Sequence, residues 1–234
     1  GRYYLADALA TASAAAGLDV VPPFTIEEVE EQNWVQLTQS QFDPIRITDR
    51  LWIVPTWHTA PDADAINLIL DPGMAFGTGS HPTTRLCLEW LTEQVAPGVS
   101  VLDYGCGSGI LGIAAVKLGA GEVTGVDIDD KAVATAADNA AANGVSLHLQ
   151  VSAKPLDGTF QRVVANILTN PLKMLAPLLA ARVAPGGKLA LSGVLEAQAE
   201  EVIAAYAPFI ALQVGATLDG WVRIEGQRPE QAVP

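Results

Sequence analysis

Glycines, carboxylates and a strand-end amide are the groups in this chain whose spacing could do chemistry. The run "VLDYGCGSGILG" (101–112) sets Gly105, Gly107 and Gly109 two apart, between an apolar stretch and a helix-forming one. Such a loop lets backbone approach a nucleotide-like ligand, because glycine has no Cβ and reaches left-handed conformations. Asp103 stands two residues before the loop, and Asp127 stands twenty residues after Gly107. A second glycine-rich stretch, "DPGMAFGTGSHPTT" (71–84), precedes it. It is not the phosphate loop of an NTPase, because Gly79 is followed by Ser80 and His81 where that loop needs a Lys.

The 101–112 loop fits two patterns. Gly107, Gly109 and Gly112 with Asp127 satisfy the G-x-G-x-x-G of an NAD-dependent dehydrogenase. Gly105, Gly107 and Gly109 equally satisfy the G-x-G-x-G loop of methyltransferases that use S-adenosylmethionine. A carboxylate at Asp103 would repel a pyrophosphate and attract the cationic methionine end of S-adenosylmethionine, which favours the methyl donor. Asp127, closing the next strand, can accept hydrogen bonds from both ribose hydroxyls in either case. Asp129 is read as the cap of the following helix. Cys106 is read as a small residue in a tight loop, since no His lies near it in sequence to activate a thiolate.

These residues need elements to hold them. Residues 5–16 are rich in helix formers and stop at Gly17; 24–34 read as a strand running into an acidic helical linker; 45–57 read as a hairpin turning at Thr48-Asp49. From residue 66 the pattern is regular. "INLIL" is followed by a helix from Pro82 to about Glu93, then short Val, Leu and Ile runs at 100–104, 122–128, 147–151, 162–168 and 187–193 alternate with helical stretches near 109–118, 130–142, 171–182 and 195–206. Strands alternating with helices imply a doubly wound α/β fold, with a mostly parallel sheet covered on both faces. The last two strand-like runs are joined by a tight turn at Asp219-Gly220, so the final strand is expected to be antiparallel.

Composition sets limits. Twenty-six acidic against 13 basic residues give a formal charge of −13, which repels nucleic acid and anionic membrane and attracts a basic partner. Half the residues are hydrophobic, but no apolar run is long enough to span a bilayer. Cys87 and Cys106 are the only cysteines and His58, His81 and His148 the only histidines, without metal-ligand spacing, so no metal is expected. The setting read from this is reducing and cytoplasmic, with no membrane or direct nucleic-acid binding and a monomeric chain.

Six stretches carry a more specific likeness. "DPGMAFGTGSHPTTRLCLEWL", "VLDYGCGSGILGIAAVKLGA", "GVDIDDKAV", "VVANILTNPLKMLAP", "PGGKLALSGVL" and "GWVRIEGQR", in this order over 34–228, resemble the PrmA family, methyltransferases of large-subunit ribosomal protein L11. The resemblance implies the seven-stranded class I S-adenosylmethionine-dependent methyltransferase fold and a basic ribosomal protein, L11, as substrate, methylated on lysine side chains and the N-terminal amine. It implies that the 71–84 loop folds over the cofactor and that Thr84, Gly105, Asp127 and Asn166 bind it, beside Asp103 and Gly107 from the loop itself. It also implies a domain plan: 1–33 as the remnant of an N-terminal recognition domain of which about the last half is present, 34–65 as linker and hairpin, 66–228 as catalytic domain and 229–234 as tail. The same fold acting on lysines of another protein is the alternative.

"NILTNPL" (166–172) resembles the Asn-Pro type motif of amino-methylating enzymes, which makes Asn166 the expected catalytic residue, orienting the amine by accepting its hydrogen bonds. Phe76 and His81 are expected to wall the site. For His81, ahead of Pro82, helix capping or packing is preferred over a general base, and Asn170 ahead of Pro171 is read as a helix start.

Overall fold

The computed structural model describes residues 2–17, 20, 42–71 and 80–230. Phe76, most of the 71–84 loop, the strand expected within 24–34 and the end of the tail lie outside the described residues. Helix α1 (Arg2–Ala15) belongs to a unit of its own, 1–41, and stops where Gly17 takes φ 74°. The described residues from Phe42 onward belong to a second unit, 42–234.

Period-two alternation explains why the strands read as unbroken apolar runs. In β4 (Val101–Tyr104), Val101 faces one core and Leu102 the other. Val163, Val164 and Ala165 alternate the same way in β7 (Phe160–Asn166), as do Leu189, Ala190 and Leu191 in β8 (Val183–Leu195). A strand buried on both sides has no polar face. One core takes its cover from α2 (Pro82–Gln94) and α3 (Ile110–Lys117). The other is covered by α5 (Thr169–Met174), α6 (Ala176–Arg182) and α7 (Ala199–Tyr206).

With β5 (Val123–Asp127), β6 (His148–Val151), β9 (Gln213–Leu218) and β10 (Trp221–Gln227), the sheet has seven strands in the order β6-β5-β4-β7-β8-β10-β9. Helix α4 (Asp130–Ala142) links β5 to β6 and is capped by the Asp129 carboxylate on the Lys131 amide, as expected. The antiparallel last strand is present: β10 runs against both β8 and β9. The turn before it has Asp219 at φ 51° and Gly220 at φ 80°, the paired left-handed conformations that a two-residue hairpin requires.

Three expectations are corrected. "INLIL" does not open the main sheet: β3 (Ile66–Ile69) pairs in parallel with β2 (Leu51–Val54), which pairs antiparallel with β1 (Ile45–Thr48), in a separate three-stranded sheet. Leu51, Ile53 and Leu68 of that sheet share a core with Cys87, Leu88 and Leu91 of α2. The helix at 171–182 is two, α5 and α6, parted at Leu175 because Pro177 has no N–H to continue the ladder. The helix at 195–206 begins only at Ala199, after a 3-10 turn over Glu196–Gln198.

Helices α5 and α7 are tied by one buried hydrogen bond, Tyr206 Oη donating to the Leu172 carbonyl at 2.8 Å. Burial pushes the Tyr206 phenol well above its usual range, so it stays a donor at any working pH. Tyr206→Phe is expected to cost about 1–2 kcal/mol, read as a lower urea midpoint with an unchanged slope.

Candidate active site

The chain runs outward from β4 through β5 to β6, then crosses back to β7 on the other flank, so strand order reverses between β4 and β7. Open α/β sheets hold ligands at such a switch point, beyond the carboxyl ends of the strands. A cleft of about 990 Å³ lies there. One wall is the loop 105–108 with Asp127, Ile128 and Ser152; the other is Asn166–Leu168 with Gly193 and Trp221; the first turn of α2 contributes His81 and Thr84.

The glycine loop turns its amides inward. Gly105, Gly107 and Gly109 have φ of 77°, 51° and 80°. Gly105 N and Cys106 N donate to the Val126 carbonyl at 2.7 and 2.9 Å, and Gly107 N donates to Asp127 Oδ2 at 2.9 Å. Asp127 Oδ1 accepts from Asp129 N, so its carboxylate is held rigidly at the cleft wall while lone pairs remain for a ligand. Directly after it, Ile128 is 87% exposed and lines the cleft, an apolar face beside a fixed carboxylate.

Asp103 is not where the sequence reading put it. Its side chain does not line the cleft; it is buried beneath the loop, where Oδ2 accepts from Gly112 N, in the first turn of α3, at 3.0 Å, and Oδ1 has no partner among the described residues. A dinucleotide's pyrophosphate would rest on the N-terminal pole of that helix. Here a carboxylate already meets it from the inside, and the loop amides are committed to β5. A dinucleotide thus has no free phosphate site here, for a geometric reason and not through long-range charge repulsion.

Burial raises the Asp103 carboxyl from 3.8 to about 7; the Gly112 amide opposes the shift and the Asp127 charge adds to it. The folded value therefore exceeds the unfolded one, so the stability this group contributes is complete below pH ~4 and is lost as pH rises toward 7. Asp103→Asn keeps an oxygen for Gly112 and removes the titration. Between pH 5 and 8 the wild type is expected to lose about 2–3 kcal/mol relative to this variant in urea unfolding, and parallel profiles would contradict the assignment.

The remaining residues sort by contact. Thr84 is 1% exposed, in the first turn of α2, and lines the cleft. His81 caps α2, its Nδ1 accepting from Thr83 N at 3.3 Å, and lies edge-on to Trp221 with ring centroids 4.8 Å apart. Cys106 lines the cleft as a buried thiol with its pKa driven up by burial, not as a nucleophile. Asn170 lies in the first turn of α5. Asn166 ends β7 half-buried at the cleft, and among the described residues nothing bonds its carboxamide. Sequence reasoning missed Ile128, Gly193 and Trp221; of these, only Gly193 left a signal, a glycine inside a strand pattern.

This sheet order with one reversed strand, and this inward-turned loop over a cleft at the switch point, define a class I S-adenosylmethionine-dependent methyltransferase. The fold is shared with the solved T. thermophilus 16S rRNA N2 G1207 methyltransferase in complex with AdoMet and guanosine, at TM-score 0.58 over 66% of this chain and 45% of that one, with 24% identity. The chain belongs to the family described as ribosomal protein L11 methyltransferase (PrmA), whose family model matches residues 4–229. It is 62% identical over 221 residues to the ribosomal protein L11 methyltransferase of Dechloromonas aromatica (strain RCB), covering 94% of this chain and 75% of that protein. The corresponding protein of Thiobacillus denitrificans (strain ATCC 25259 / T1) is 59% identical over 222 residues, with 95% and 75% covered. A crystal structure of the ribosomal protein L11 methylase from Lactobacillus delbrueckii subsp. bulgaricus matches at TM-score 0.72 and 32% identity, over 80% of this chain and 98% of that one.

Proposed function

We infer that this chain methylates amines of large-subunit ribosomal protein L11, lysine side chains and the N-terminal amine, using S-adenosylmethionine. The observation that carries the reading is the free carboxamide of Asn166, facing the cleft from the end of β7, with Asp127 and Ile128 among the lining residues at the end of β5. Asp127 suits ribose hydroxyls and Ile128 the face of a purine, so the residues present fit the donor. When bound, S-adenosylmethionine supplies a methyl group on a sulfonium, open to in-line attack. The protein's share is positional. The positive-φ glycine loop lets the ligand lie against backbone, and Asn166 Oδ1 accepts a hydrogen bond from the amine, which fixes its lone pair toward the methyl.

The amine must first lose a proton. For a lysine at pKa ~10.4 that costs about 4–5 kcal/mol near pH 7, and for an N-terminal amine about 1 kcal/mol. The apolar lining, Ile110, Leu111, Ile128, Leu168 and Trp221, lowers an amine's pKa by desolvation. The acidic balance of the chain supports a basic protein as partner.

The test is transfer from methyl-labelled S-adenosylmethionine to purified L11, with the sites mapped by mass spectrometry. Label on L11 amines is expected, and absence of label on L11 alongside label on another protein would assign a different substrate. In single-turnover reactions Asn166→Ala is expected to slow transfer about a hundred-fold, more than it weakens binding of either substrate. An unchanged rate would remove Asn166 from the mechanism.

A further inference from the structure

We propose that Gln198 is a positioning residue for the amine site, holding the segment that carries Asn166 against the end of β8. Its side chain closes the 3-10 turn that follows β8, and its Oε1 accepts two hydrogen bonds, from Thr169 Oγ1 at 2.9 Å and from Leu195 N at 3.2 Å. Thr169 is buried and opens α5, two residues past Ile167 and three past Asn166, and that helix has no side-chain cap of its own at Leu168. Leu195 pairs across the sheet with Trp221, which lines the cleft. A single amide oxygen therefore joins the segment after Asn166 to the strand end paired with Trp221, the two parts of one cleft wall, beside the close approach of Gly193 to Ile167.

Among the described residues, no other side chain outside the cleft bonds both of these segments. Removing the acceptor leaves a buried hydroxyl and a strand-end amide to find new partners, and the 166–169 segment gains freedom. Loss of about 1 Å of registration at a transfer site costs orders of magnitude in rate without altering remote binding contacts. The inference rests on Asn166 holding the amine.

The experiment measures methyl transfer to L11, affinity for S-adenosylmethionine and melting temperature for Gln198→Leu, Gln198→Glu, Thr169→Val, the Gln198→Leu/Thr169→Val pair and Asn166→Ala. The leucine variant is expected to lose about ten-fold or more in kcat, with KM for L11 and cofactor affinity within about three-fold. The glutamate variant, whose carboxylate accepts both bonds, is expected to recover to within about three-fold of wild type. Thr169→Val should mimic the leucine variant, and the pair should be no worse than either alone. If Gln198→Leu does not fold, the Thr169→Val and Gln198→Glu rates decide. A leucine variant within two-fold of wild type, a glutamate variant as slow as leucine, or full additivity in the pair overturns the proposal. Asn166→Ala separates the two levels: if it is slow while Gln198→Leu is not, only the positioning role falls, whereas normal turnover in Asn166→Ala overturns both.

Discussion

Gly193→Ala is expected to reduce methyl transfer at least a hundred-fold, although no catalytic group is touched. Gly193 has φ 88°, and an added Cβ would lie 2.2 Å from the Ile167 carbonyl oxygen, 2.8 Å from its carbon and 3.1 Å from its nitrogen. All three contacts are backbone, so no side chain can rotate away. The position is a bulge: Val222 pairs with Val194 and Ile224 with Leu191, leaving Ser192 and Gly193 opposite Arg223 alone. Ser192 Oγ donates to the Val222 carbonyl, and the Ser192 carbonyl accepts from Ile167 N. The bulge thus lets the segment after Asn166 lie directly on β8.

Alanine there meets about 1–2 kcal/mol of left-handed strain and forces Ile167 outward by more than a rotamer change can absorb. Asn166, its neighbour, must move with it. The expected pattern is a collapsed kcat and a lowered melting temperature with the far-ultraviolet dichroism retained. A kcat within three-fold of wild type would show that the 166–168 segment tolerates displacement, which the proposed lone-pair alignment does not allow.

Asp127→Ala is the second large effect, this time on affinity. The carboxylate anchors Gly107 N and Asp129 N and is positioned for ribose, so its removal both frees the loop and deletes a charged acceptor. Hydrogen bonds to a charged group contribute about 1.5–3 kcal/mol each, and the loss of the two to the ribose hydroxyls gives a hundred-fold or greater rise in Kd for S-adenosylmethionine. Asp127→Asn is expected to fall between, because an amide offers one acceptor and turns an N–H₂ toward a backbone donor. Calorimetric titration measures both, and a Kd for the alanine variant within two-fold of wild type would detach Asp127 from the cofactor.

The α/β alternation was legible because it rests on local periodicity. Val163 to Ala165 and Leu189 to Leu191 had to be apolar on both faces, whatever their neighbours. Pairing partners were not legible. "INLIL" is as good a strand for the main sheet as for the small one, and its partners are distant or non-local: it pairs with β2 and lies against α3, where Lys117 Nζ donates to the Asn67 carbonyl. The Asp219-Gly220 hairpin was readable from its turn residues, but nothing local says that β10 rather than β9 lies next to β8.

At the site, Thr84, Gly105, Gly107, Asp127 and Asn166 all reach the cleft, since their places follow from a helix start, strand ends and a glycine loop. Asp103 could not be placed, because a carboxylate two residues before a loop can turn up toward a ligand or down toward a helix amide. Burial beneath α3 chose the second. Gln198 left no signal: without Ser or Thr three residues earlier it does not form the usual capping pattern, and its partner Thr169 is distant in sequence.

The proposed transfer requires the donor's ribose to rest on Asp127 while its sulfur faces Asn166. A crystal structure with S-adenosylhomocysteine tests this directly. The ribose hydroxyls are expected within hydrogen-bond distance of the Asp127 carboxylate, the purine against Ile128, and the sulfur turned toward the Asn166 carboxamide. A ligand whose ribose lies away from Asp127, or whose sulfur points away from Asn166 with the protein otherwise unchanged, would contradict it.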